Sequence, residues 1–232
     1  MAHPVLKTPA PAGAAEATAP KRNRPRGMKA VLTHRLARPV VFLLCLIPFA
    51  LLVYWWSTDQ LGFNPTETLL RFTGNWTLRF LLITLCVTPL RKLPGWSDLI
   101  HFRRMIGLFA FFYGCVHLFN YLNFDKAWNW AIVWEDLTFR RFYIFGLAAF
   151  TLMLPLALTS TAAAIRWMGG KNWQRLHYLV YLAPAVGVVH FYLQDKFPDP
   201  ESLKYGMMLA ALLGIRVVFW GYKKLRAQAP SR

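Results

Sequence analysis

The sequence predicts an all-α integral membrane bundle of about six transmembrane helices. Three observations carry that prediction. Apolar residues make up 56% of the 232-residue chain, above the 45–50% usual for soluble domains. Lys and Arg number 27 against 10 Asp and Glu, for a net charge of +17. The basic residues fall between long apolar runs, as they do where basic loops face an anionic leaflet. The same balance excludes an acidic disordered protein. It also argues against a nucleic-acid module, whose basic residues gather on a soluble surface.

Residues 1–34 form an expected basic, Ala/Pro-rich tail with too few large apolar side chains to bury a core. No secretory signal peptide is expected, because the first apolar run begins only at Pro39. The six runs are Pro39–Trp56, Trp76–Leu90, Met105–Phe124, Phe142–Ile165, Leu176–Leu193 and Tyr205–Tyr222. Most reach the ~20 residues a helix needs to cross a ~30 Å hydrocarbon layer. The second is the shortest. Helices are expected because a bilayer offers the backbone no other hydrogen-bond partners. The membrane domain spans 35–225, and 226–232 is a second tail.

With the N-terminus cytoplasmic, the segments 1–38, 91–104, 166–175 and 223–232 lie inside and hold 19 of the Lys and Arg residues. The outside segments 57–75, 125–141 and 194–204 hold 6. The positive-inside rule thus places both termini on the cytoplasmic side. Cys45, Cys86 and Cys115 lie inside apolar runs without a CxxC or CxxCH motif, so they read as small apolar side chains. No internal sequence repeat is evident, which speaks mildly against an inverted-repeat transporter.

Of the six histidines, His3 and His34 sit in the basic tail and His101 in an inside loop. His117, His177 and His190 fall in the third and fifth runs, where an ionisable residue is a functional candidate. These runs point the same way. His117 lies 13 residues past Arg104, ~20 Å up a helix. His190 lies 15 residues past Arg175, ~22 Å on the same rise. Two imidazoles at matched depth on parallel helices suit bis-His haem ligation.

His177 stands only ~3 Å above Arg175 and belongs to an inner level. Its partner there is absent, Arg103 or His101. A guanidinium is a poor metal ligand, and Arg103 also suits an interfacial or propionate contact. His177 and His190 would be roughly 140° apart on one ideal helix. Either Pro184 bends that helix or the two residues serve different faces.

The run Arg103-Arg104-Met105-Ile106-Gly107-Leu108, then Phe111-Phe112-Tyr113 and His117, resembles the third helix of the MsrQ (YedZ) family. Trp173 to Tyr181 with His190-Phe191 resembles its fifth. Thr88-Pro89-Leu90-Arg91 and the stretch from Pro155 to Ser160 also match. The resemblance covers about 35–225. It implies a ferric-reductase-like membrane subunit with b-type haem, described with FMN. Such a subunit passes electrons across the inner membrane to a periplasmic molybdopterin enzyme, MsrP, that reduces methionine sulfoxide in proteins. The donor is the quinone pool or a cytosolic flavin reductase, and catalysis resides in the partner. The family's three membrane histidines map onto His117, His177 and His190. The wider superfamily often has four, so the resemblance leaves one or two haems open.

Arg79 and Arg216, within spans, are candidate propionate contacts. They also support the alternative, a transporter or channel without redox chemistry. The outside loops carry Trp128, Trp130, Trp134, Glu135, Asp136, Asp199 and Glu201, an expected docking surface for the soluble partner.

Overall fold

The computed structural model describes residues 28–94, 96–194 and 200–228. Residues 1–27 of the expected tail and the last residues of the chain lie outside the described residues. The described residues form helices and turns, with no strand among them.

Helix α1 (Met28–Thr33) precedes α2 (Ala37–Ser57), and Leu32 of α1 packs against the main core. Helix α3 (Pro65–Leu90) follows. A 3₁₀ turn at Ser97–Leu99 leads into α4 (Ile100–Asn120), which ends in a π-helical turn at Tyr121–Asp125. A short helix α5 (Trp130–Phe139) precedes α6 (Arg141–Leu158). Two short helices, α7 (Ala162–Met168) and α8 (Gly170–Leu176), lead to α9 (Leu179–Gln194) and α10 (Pro200–Gln228).

Five segments are long and apolar enough to cross a membrane: Ala37–Ser57, Ser97–Asp125, Arg141–Leu158, Gly170–Gln194 and Pro200–Tyr222. The protein is a multi-pass membrane bundle. Its large apolar residues on α2, such as Leu43, Leu44 and Val53, are exposed, as expected of side chains that lipid covers. The sixth long helix is α3. It is the most thoroughly packed of all, burying Leu69, Thr73, Leu78, Phe80, Leu81, Leu82, Thr84, Leu85 and Val87.

The sequence showed only the later part of α3, because its first turns carry Glu67, Arg71 and Asn75. Those turns are nonetheless helical for local reasons. The Asn64 side chain accepts the Glu67 amide at 3.3 Å, and Pro65 follows the cap. Glu67 sits in the first turn, where a carboxylate suits the helix dipole.

Two antiparallel pairs, α3 with α4 and α6 with α9, make the heart of the bundle. Phe80, Phe109 and Tyr113 pack at the first interface, with Phe80 and Tyr113 stacked at 5.2 Å. Tyr113 is fully buried and reaches across to α2. Its hydroxyl accepts the Phe49 N–H at 2.9 Å and donates to the Cys45 carbonyl at 2.9 Å.

The fifth apolar run is not one helix. It breaks at His177 and Tyr178, between α8 and α9. Pro184 lies inside α9 without interrupting it. His177 and His190 therefore sit on different segments. His101 is also placed differently from expectation, in the first turn of α4 rather than in a loop.

Candidate haem site

His117 and His190 meet at the same end of the bundle, with ring centres 6.3 Å apart and ring planes at 79°. Each is fixed through its Nδ1. His117 Nδ1 lies 3.0 Å from the Leu70 carbonyl and 3.3 Å from Thr73 Oγ1. His190 Nδ1 lies 2.7 Å from the Phe142 carbonyl. A carbonyl can only accept, so Nδ1 carries the proton in each ring. The lone pair is then on Nε2, the usual state of a metal-binding imidazole.

Both carbonyls are reached in the same way. Four residues after Leu70 comes Gly74, and four after Phe142 comes Gly146. A Cβ at Gly74 would lie 3.1 Å from His117 Cε1, and one at Gly146 only 2.8 Å from His190 Cε1. Glycine thus clears the space into which each ring enters. The two helix pairs share this construction although their sequences show no repeat.

A cavity of about 610 Å³ opens between the histidines. Leu78, Leu81, Gly114, Phe150, Met153 and Gly187 form much of its apolar wall. Glu67, Arg71, Asn75, Tyr121 and Asp125 supply polar groups. Trp130, Val133 and Leu137 of α5 also line it.

The rings fit a metal held between them. An ion ~2 Å from each ligating nitrogen sets the ring centres roughly 6 Å apart, close to the observed 6.3 Å. Free Nε2 atoms, backbone-anchored Nδ1 atoms and a large, mostly apolar cavity would suit a bis-imidazole haem.

A family model described as "Ferric reductase like transmembrane component" matches residues 73–188. A protein of Polaromonas naphthalenivorans is 47% identical over 193 residues, covering 82% of this chain and 88% of that protein. One of Herminiimonas arsenicoxydans is 44% identical over 191 residues, covering 82% and 87%. One of Rhodospirillum rubrum is 42% identical over 197 residues, covering 85% and 95%. Each bears the name protein-methionine-sulfoxide reductase heme-binding subunit MsrQ. The chain belongs to the MsrQ family. No solved structure matches it.

Within this chain the other candidates fall elsewhere. His177 is half-buried at the opposite end of the bundle, stacked on Trp173 at 3.8 Å with Nδ1 3.1 Å from the Trp173 carbonyl. Arg103 and Arg104 lie within its electrostatic reach. His101 is exposed, with Nδ1 3.0 Å from the Asp98 carbonyl. No cluster of three or more His, Cys, Asp or Glu able to hold a metal occurs among the described residues.

Neither arginine singled out in the sequence lines the cavity. Arg79 bonds Tyr205 Oη at 2.7 Å and Glu201 at 3.3 Å, and so faces α10. Arg216 donates to the Leu85 carbonyl and lies over the Tyr181 ring. The arginine on the cavity wall is Arg71, paired with Glu67 at 2.8 Å. Sequence reading missed it because it precedes the apolar run. Gly74 and Gly146 were also missed, although glycine inside a helix costs about 1 kcal/mol and so marks a need for space.

The expected acidic docking surface needs correction. Asp136 is buried, bonded to Lys126 at 2.7 Å and to the Tyr121 hydroxyl at 3.1 Å. Glu201 is engaged by Asn75 and Arg79. Asp199 lies outside the described residues. Glu135, Trp130 and Trp134 are exposed. Lys126 also pairs with Asp125 at 3.1 Å. Burial pushes its ammonium down, but the Asp136 and Asp125 carboxylates outweigh this and hold its pKa above the ordinary lysine value. Ala127 and Trp128 adopt positive φ angles of 46° and 59° in the turn that follows. This turn sets α5 over the cavity.

Proposed function

We propose that this chain is a haem b membrane subunit that carries electrons across the inner membrane. Its output is a periplasmic MsrP-like molybdoenzyme that reduces methionine sulfoxide in proteins. The observation that supports this reading best is the facing pair His117 and His190, spaced for one metal and anchored through both Nδ1 atoms. Bound haem supplies a one-electron iron couple.

The residues of the chain do the rest. The Leu70 and Phe142 carbonyls hold the imidazoles in one tautomer and orientation. Leu78, Leu81, Phe150 and Met153 give the cavity a mostly apolar wall. Arg71, at its polar edge, suits a carboxylate of the cofactor. The distribution of basic residues supports an orientation with the His117/His190 end outside, toward the acceptor. Electrons enter at the inner end, near His177 and Arg103, from the quinone pool or a cytosolic flavin reductase. FMN enters this reading through the family resemblance alone and is given no residues.

The test is spectroscopic. Purified protein should show a b-type Soret band that sharpens on dithionite reduction, with haem counted by pyridine haemochrome. His117→Ala and His190→Ala should each lose that component, and His177→Ala should keep it. A folded, colourless wild-type protein would overturn the reading in favour of a non-redox transporter or channel. Loss of the same component in His177→Ala and His190→Ala would overturn the division into two levels.

A further inference from the structure

Among the described residues, Arg216 is a cation inside the membrane bundle without a carboxylate partner. Its Nη2 donates to the Leu85 carbonyl, and its guanidinium lies 4.8 Å from the centre of the Tyr181 ring. Its Nε and Nη1 are buried and have no hydrogen-bond partner. The charged side chain that acts on it electrostatically is another cation, Arg103 of α4. Among the described residues, neither arginine forms a salt bridge to an acid. A desolvated guanidinium beside a like charge is strongly unfavourable unless an anion completes the site.

The place identifies the anion. Arg216 lies at the end of the bundle opposite the His117/His190 cavity. It precedes Lys223 by seven residues, about 10 Å along the helix. That depth puts it just below the headgroup layer. The neighbouring Val217, Val218 and Trp220 of α10 are exposed, so an apolar surface for acyl chains adjoins the two cations. Basic pockets between transmembrane helices are a known mode of binding acidic lipid headgroups.

We infer that Arg216 and Arg103 hold the phosphate of one anionic phospholipid between α3, α4, α9 and α10. The inference stands apart from the haem reading, since it uses neither His117 nor His190.

The experiment is native mass spectrometry of the full chain, released from nanodiscs of equimolar phosphatidylglycerol and phosphatidylcholine. Wild type should retain one phosphatidylglycerol in preference to phosphatidylcholine. Arg216→Met should lower that retention about tenfold, and Arg103→Met should lower it as well. Lys224→Gln, at an exposed position, should leave it unchanged. No preference for phosphatidylglycerol in wild type would overturn the inference, whatever the variants do. So would full retention in Arg216→Met, or a loss of haem in that variant with lipid unchanged, which would assign the cation to a cofactor carboxylate.

Discussion

The Tyr113 hydroxyl stands 2.9 Å from the Phe49 amide, inside the backbone ladder of α2. It accepts the amide hydrogen bond that would otherwise go to the Cys45 carbonyl and donates its own O–H to that carbonyl. Pro48 lies between these residues. Helix α4, which carries His117, is thereby fastened to α2 through a polar group in the core. Tyr113→Phe should cost about 1–3 kcal/mol, the penalty for stranding buried backbone groups. The check is the thermal unfolding midpoint in detergent. An unchanged midpoint would mean that α2 closes its own ladder without the hydroxyl.

The two glycines that face the histidines should differ in sensitivity. A Cβ at Gly146 meets His190 at 2.8 and 2.9 Å, whereas one at Gly74 meets His117 at 3.1 and 3.3 Å. Gly146→Ala must therefore move the His190 ring, while Gly74→Ala can be absorbed by a small shift. Haem affinity should fall about 10–100-fold in the first, as when support of a metal ligand is lost. It should fall less in the second. Haem content after gel filtration gives the order, and the reverse order would contradict the packing.

Arg71 should tune the site electrically. A cation near iron favours the reduced state, so Arg71→Gln should lower the midpoint potential. Glu67→Gln should raise it, because Glu67 is the partner of Arg71. Shifts of tens of millivolts are the size expected for one charge acting through an effective dielectric of ~20. Arg71→Lys should stay close to wild type. Redox titration of haem-loaded protein is the measurement, and identical potentials in wild type and Arg71→Gln would remove Arg71 from the site.

The Lys126 cluster predicts a pH dependence. The folded pKa lies above the ordinary 10.5 of lysine. Its contribution to stability is then fully present below that value and is lost only as the pH rises through the folded pKa. The cluster should be insensitive to pH from neutrality to about 10 and weaken in stronger alkali. Lys126→Met removes the closest cation of the buried Asp136 and leaves it Arg140 at 3.5 Å and the Tyr121 hydroxyl, so it should cost about 1–3 kcal/mol. Lys126→Met with Asp136→Asn should recover part of it. Thermal melts across pH test both statements.

Much of this was legible in the sequence. Apolar runs gave the spans, and counting along them from Arg104 and Arg175 put His117 and His190 at one level. That count worked because both stretches climb at nearly the helical rise from arginine to histidine, even across the turn at His177 and Tyr178. The first half of α3 was not legible, since a helix held by an Asn64 cap and by packing on every side does not need an apolar run. Asp136 was misplaced because an acid in a loop reads as exposed until its cation, Lys126, is brought back by the turn at Ala127 and Trp128. The break at His177 carried no proline or glycine of its own. Pro184, which does look like a breaker, is accommodated inside α9.

Both imidazoles lean on main-chain carbonyls, Leu70 and Phe142, rather than on carboxylate side chains. A codon change can delete an aspartate in one step, but no codon change deletes a carbonyl. The orientation of the ligands is therefore sheltered from single substitutions at the groups that orient them. The exposure to mutation passes to Gly74 and Gly146, where any new side chain enters the space of a ring. A saturation library should show tolerance at Leu70 and Phe142 and near-invariance at Gly146.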